Sequence, residues 1–143
     1  MFGFELDTVV QHLLQIGVAY LLALPLAWNR EHSAQSAGLR TFPLVSVAAC
    51  GYMLTGIQVL GTTDAESRVI YGIVTGMGFI GGGAILKTRD GVAGTATAAS
   101  LWNTGAIGVA VAWHRYEIAS VLAVINFLTL QCVTWLKEQP PRD

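Results

Sequence analysis

The side chains that could do chemistry in this sequence gather in two short stretches set between long apolar runs. The first reads Asn29-Arg30-Glu31-His32, followed after a few residues by Ala37-Gly38-Leu39-Arg40-Thr41. The second brings Lys87, Arg89 and Asp90, then Thr95 and Thr97. Brought together, they would form a polar, mostly basic cluster. One use for such a cluster is to dock a partner or bind an anion, with Arg40 as the anchor because its planar fork can bind bidentately. The other is to set membrane orientation and touch anionic lipid, where each basic residue near the surface contributes about 1 kcal/mol. Catalysis has less support. His12, His32 and His114 are scattered, and none stands near a Cys or Asp at a spacing that makes a metal site or a triad. Cys50 and Cys132 both fall in apolar runs and read as buried thiols packed as small hydrophobes. No catalytic residue, metal ligand or cofactor is expected.

Gly76-Met-Gly-Phe-Ile-Gly81 matches a GxGxxG string, yet no strand precedes it and no acidic residue follows about 20 positions on, so dinucleotide binding is not expected. The wider run holds Gly72, Gly76, Gly78, Gly81, Gly82 and Gly83. Gly72/Gly76 and Gly78/Gly82 each form a GxxxG pair, which lets helix backbones approach closely in lipid, within one chain or between copies. Glycines lining a narrow permeation path are the alternative. Asn103, Asn126 and Gln131 are the clearest polar groups inside apolar stretches. In hydrocarbon they need partners, so interhelical hydrogen bonds are expected, with a solute path as the sharper alternative.

The elements that must position these residues follow from composition. Charged residues make up 12% of the 143, about half the roughly 25% usual in soluble proteins, and mean hydropathy is +0.55. A net charge of −1 argues against a nucleic-acid partner. Five charge-free stretches run Thr8–Asn29, Thr41–Thr63, Val69–Leu86, Gly91–His114 and Ile118–Leu136. Each reaches or approaches the ~20 residues that span a hydrocarbon core of ~30 Å. The runs are too long for barrel strands and do not alternate. The expected architecture is therefore all-α, a polytopic membrane protein of five spans at about 8–29, 41–63, 67–87, 94–114 and 117–136, with a short tail at 137–143. No soluble domain is expected, and the opening residues, with Glu5 and Asp7, do not read as a cleavable signal peptide.

Loop charges set the orientation. Arg30, Arg40, Lys87, Arg89, Lys137 and Arg142 fall on one side, against Arg68 and Arg115 on the other. The positive-inside rule then places the N-terminus outside and the C-terminus in the cytoplasm. Trp28, Trp113, Tyr116 and Trp135 fall at segment ends, where amphipathic rings settle at headgroup level. Thr63-Asp-Ala-Glu66 matches a capping box opening the third helix, and Lys87 is expected to close it at the negative end of its dipole. Pro43 suits the first turn of the second helix, and Pro25 a kink near the end of the first. No carboxylate or cation lies inside any of the five runs. That disfavours a proton-coupled pump or a dehydrated divalent-cation site within the spans.

Three strings taken together resemble the MgtC/SapB family of bacterial inner-membrane proteins. They are Arg30-Glu31 with AGLRT (Ala37 to Thr41), GMGFIGGGAIL (Gly76 to Leu86), and Gly94 with TAASLW (Thr97 to Trp102) and AIG (Ala106 to Gly108). Two departures stand out: Asn29 occupies a position where the family usually has glutamate, and Gly94-Thr-Ala-Thr97 replaces Gly-Leu-Thr-Thr. Many members carry a soluble cytoplasmic domain beyond the part matched. The resemblance implies a non-enzymatic membrane factor for adaptation to low magnesium, and for virulence in pathogens. It implies a regulator of other membrane complexes, such as the F-type ATP synthase, in preference to a magnesium carrier. On this reading Arg30, Glu31, Arg40, Thr41, Thr95 and Thr97 form the cytoplasmic functional surface, the glycines from Gly72 to Gly83 mediate packing, and the protein is a homo-oligomer, a dimer being favoured. The rival is a small transporter or channel for an ion or small solute.

Overall fold

The computed structural model describes residues 5–33, 38–89 and 91–137 and consists of five helices and one small hairpin. Helix α1 spans Leu6–Ser33, α2 Thr41–Leu60, α3 Thr63–Gly83, α4 Thr95–Ala112 and α5 Tyr116–Lys137. Between α3 and α4, β1 (Leu86–Thr88) pairs antiparallel with β2 (Gly91–Ala93), with Lys87 opposite Val92. Asp90, Ala37 and the tail from Glu138 onward lie outside the described residues, as do the side chains of His32, Trp135 and Lys137.

Local chemistry explains where the helices start and stop, and corrects three sequence expectations. Thr62, one residue before the expected cap, opens α3: its hydroxyl accepts the Ala65 N–H at 3.3 Å. Asp64 and Glu66 fill the first turn, where negative charge complements the dipole. At its other end α3 stops at Gly83, short of Lys87. Three successive glycines have poor helix propensity, and the Ala84 and Ile85 amides tighten onto the Gly81 and Gly82 carbonyls at 3.0 and 3.2 Å. Lys87 therefore sits in β1 and does not serve the end of α3. Pro43 falls in the first turn of α2, while α1 continues past Pro25 to Ser33. The third correction concerns the cysteines: Cys50 is buried, but Cys132 is exposed on α5, and both are free thiols.

Helix α4 is the centre of the bundle and packs on all four other helices, most extensively on α2. Eleven of its residues are buried, among them Leu101, Ile107 and Val111. The closest approach rests on Gly108. A Cβ there would run into the Ser46 carbonyl of α2 and lie 3.0 Å from both the Ala49 Cβ and the Cys50 nitrogen. Gly105 performs the same service for α3, since its Cβ would lie 2.7 Å from the Met77 Cγ. Small residues at a helix crossing allow such backbone contact, which is how helices gain packing energy in lipid.

The outside of the bundle is apolar. Leu13, Leu14 and Leu21 on α1, Val59 on α2, and Tyr71 and Phe79 on α3 are all exposed, Phe79 at 86%. Water-soluble monomers rarely expose so much contiguous apolar surface. Two helical stretches, Leu6–Glu31 and Thr41–Leu60, are long and apolar enough to cross a membrane on their own, and Tyr116–Cys132 forms a shorter apolar stretch. The fold is all-α apart from its hairpin and fits a membrane protein.

Gly108→Val is expected to destabilise the bundle by at least the roughly 1–3 kcal/mol typical of overpacking, because the obstacle is backbone. Gly17→Ala, whose added Cβ meets nothing within 4 Å, is expected to stay within about 1 kcal/mol of the parent. Unfolding in detergent titrated with a denaturing surfactant would check both.

Candidate functional site: the basic end of the bundle

Consecutive helices run up and down, so the end of α1, the start of α2, the hairpin and the start of α4 meet at one end of the bundle. This is the end that carries the basic residues. Arg30 lies in the last turns of α1 and is only 8% exposed. Its Nη1 donates to the Thr97 hydroxyl at 3.2 Å, linking α1 to the first turn of α4. Its Nε is buried and has no partner. Among the described residues the only ion pair is Arg68–Asp64, in α3, and none of their carboxylates pairs with this guanidinium.

Glu31 has a different task. Its Oε2 accepts the Leu39 N–H at 2.9 Å and so ties the end of α1 to the approach into α2. Gly38 permits this, because a Cβ there would collide with the Glu31 carboxylate. The Gly38 carbonyl in turn accepts the Thr41 and Phe42 amides, opening α2. Part of the Arg-Glu … Ala-Gly-Leu-Arg-Thr signature is thus a helix-to-helix clasp. Arg40 is exposed beside it and, with Thr41, lines one end of an apolar groove of about 1000 Å³ between α2 and α3. Thr95 is exposed at the start of α4 and Thr97 is buried. Gly94, at φ +84° in the left-handed region, turns the chain from β2 into α4. Lys87 and Arg89 are exposed on the hairpin.

The polar residues at depth are hydrogen-bonded between helices. Ser100 Oγ donates to Asn126 Oδ1 at 2.8 Å, and Asn126 Nδ2 donates back to the Ser100 carbonyl at 3.3 Å, joining α4 to α5. Asn103 Nδ2 donates to the Leu122 carbonyl at 3.2 Å across the same interface. Gln131 Oε1 accepts from Asn29 Nδ2 at 2.7 Å, joining α5 to α1. Of the six α3 glycines, only Gly81 meets another element, its Cβ position lying 3.3 Å from the Ala98 carbonyl. Gly72, Gly76, Gly78, Gly82 and Gly83 are exposed, with nothing within 4 Å of an added Cβ. At about 100° per residue, Gly72, Gly76 and Gly83 lie on one flank of the buried stripe and Gly78 and Gly82 on the other.

Several positioning residues escape a reading of the sequence for charge. Gln15, 3% exposed inside the first apolar run, donates to the Val111 and Ala112 carbonyls at 3.3 and 3.2 Å at the far end of α4. An amide in an uncharged run was the available signal. Gly105 and Gly108 were visible only as part of a longer small-residue stretch, since nothing local shows which glycine meets a neighbouring helix.

Residues 16–139 match the MgtC family. SrpB of Synechococcus elongatus is 29% identical over 85% of this chain and 77% of its own length. MgtC of Salmonella typhimurium is 32% identical over 80% of this chain and 48% of its own length. YhiD of Escherichia coli K12, named as a candidate magnesium transporter, is 28% identical over 85% of this chain and 60% of its own length. The chain thus spans about half to three quarters of these relatives. No solved structure matches it. With 124 of 143 residues inside the match, and the basic clasp, the glycine-rich α3 and the α4 crossing all within it, the chain belongs to the MgtC family.

Proposed function

We propose that this chain is a non-enzymatic, multi-pass protein of the bacterial inner membrane that regulates another membrane complex during adaptation to low magnesium or in virulence. On this reading all five helices span the bilayer, with the N-terminus outside and the basic end in the cytoplasm. The observation that carries the proposal is how the polar groups are used. Asn103, Asn126 and Gln131 spend their hydrogen bonds holding helices together, whereas the open surfaces are those suited to contact with other proteins. These are the glycine flanks of α3 and, at the basic end, the exposed Arg40 and Thr95 with the half-buried Thr41. A scaffold that presents packing faces and a basic surface suits a partner-binding role. The chain acts as a homo-oligomer, a dimer being favoured, through the α3 glycines. Its target is a membrane complex of the F-type ATP synthase kind.

A second reading, a small transporter or channel, draws on the name of the YhiD relative and would route solute along α3 beside Asn103. Ion flux separates the two. Purified protein in liposomes loaded with a magnesium-sensitive dye is expected to show no flux above empty liposomes; flux that is lost in a Gly78 or Asn103 variant would establish the second reading.

Arg40→Ala is expected to leave insertion and abundance intact but abolish rescue of low-magnesium growth in a strain lacking its own family member. Normal growth would remove Arg40 from the surface. Gly78→Leu and Gly82→Leu are expected to abolish crosslinked oligomers in detergent while leaving the monomer folded, because an added Cβ at either position meets nothing within 4 Å. Unchanged crosslinking would rule out that flank as the interface.

A further inference from the structure

Arg30 is placed where electrostatics alone would not put it. The N-terminal end of a helix carries partial positive charge, and its first amides have no acceptor within the helix. No side chain caps the start of α4, and its first turn holds no acidic residue. The Arg30–Thr97 hydrogen bond nevertheless brings a second positive group onto this turn. Arg30 is 8% exposed, its Nε is buried without an acceptor, and no carboxylate among the described residues pairs with it. The neighbouring Glu31 is directed to the Leu39 amide. Two independent sources of positive potential thus converge with no carboxylate of the described residues between them, and a buried donor is left over. Such an arrangement suits an anion.

We propose that Arg30, Thr97 and the first turn of α4 form a binding site for a phosphate-type oxyanion. A tetrahedral oxyanion accepts hydrogen bonds from several directions at once. It can take the guanidinium edge from one side and the amides of Thr95 and Ala96 from another, as anions do at helix N-termini. The Thr95 and Thr97 hydroxyls lie on the same turn. The phosphate is either that of a lipid headgroup or a free one, since the site sits at the end of the helices and not at mid-depth. The proposal rests on the basic end being the working surface, and it moves the anchor from the exposed Arg40 to the enclosed Arg30.

The test uses the full chain purified in detergent. Its thermal unfolding is followed against inorganic phosphate, with chloride at matched ionic strength as control. Native mass spectrometry then compares phosphatidylglycerol with phosphatidylcholine. Wild-type protein is expected to prefer one of the phosphate-bearing anions over its control, and R30Q to lose that preference by about tenfold or more. R30K keeps the charge without the planar fork and is expected to recover only part of it. R40Q is expected to bind as wild type does. Stabilisation by inorganic phosphate identifies a free ligand; selective retention of phosphatidylglycerol alone identifies the headgroup. Should R30Q fail to fold, R30K and the wild-type titrations still decide. Absence of any preference in wild-type protein overturns the site, as does equal preference in R30Q. Because this readout is binding, it can succeed where the Arg40 growth test fails, and the reverse.

Discussion

Gly108 lets the backbone of α4 lie against the Ser46 carbonyl of α2, and the other helices take their places around that contact. A hydrophobic driving force does not operate between helices whose surroundings are as apolar as their side chains, so cohesion has to come from close packing and hydrogen bonds. Both are concentrated on α4. It is rich in glycine, alanine, serine and threonine, and touches every other helix. Larger residues there would have widened each interface and weakened all four together. The strongly apolar helices α1 and α2 could have served as hydrophobic cores in a soluble protein; here the small-residue helix does that work.

Much of the outline was legible in the sequence, because charge-free runs record where helices lie. Helices α2, α4 and α5 begin at Thr41, Thr95 and Tyr116, each within a few residues of where a charge-free run begins. The ends of α3 were harder to place. Its expected close at Lys87 assumed that an apolar run continues as helix, but Gly81-Gly82-Gly83 ends the helix and the chain turns into a hairpin. The cap at Thr62 was displaced by one residue because two adjacent threonines offer the same chemistry and only geometry chooses between them.

The basic cluster was also legible as residue types, but not as roles. Arg30, Glu31 and Arg40 look alike as charges in a loop. In the fold they separate into a buried group on Thr97, a clasp on the Leu39 amide and an exposed side chain at a groove. Burial and hydrogen-bond partners depend on elements far along the chain, which local spacing does not encode. The α3 glycines show the converse. Their GxxxG spacing is unmistakable, yet the close contact inside the chain belongs mainly to Gly105 and Gly108, which lie three residues apart.

The two ties between α1 and α4 bear on biogenesis. Gln15 finds its acceptors 96 and 97 residues further along the chain, and Arg30 reaches Thr97 across 67. Helix α1 is therefore completed by α4, made three helices later. Until α4 emerges, the Gln15 amide lacks its native acceptors, so α1 acquires its final neighbours late. Packing of α1 waits for the next three helices, which exposes it to quality control for as long as their translation lasts.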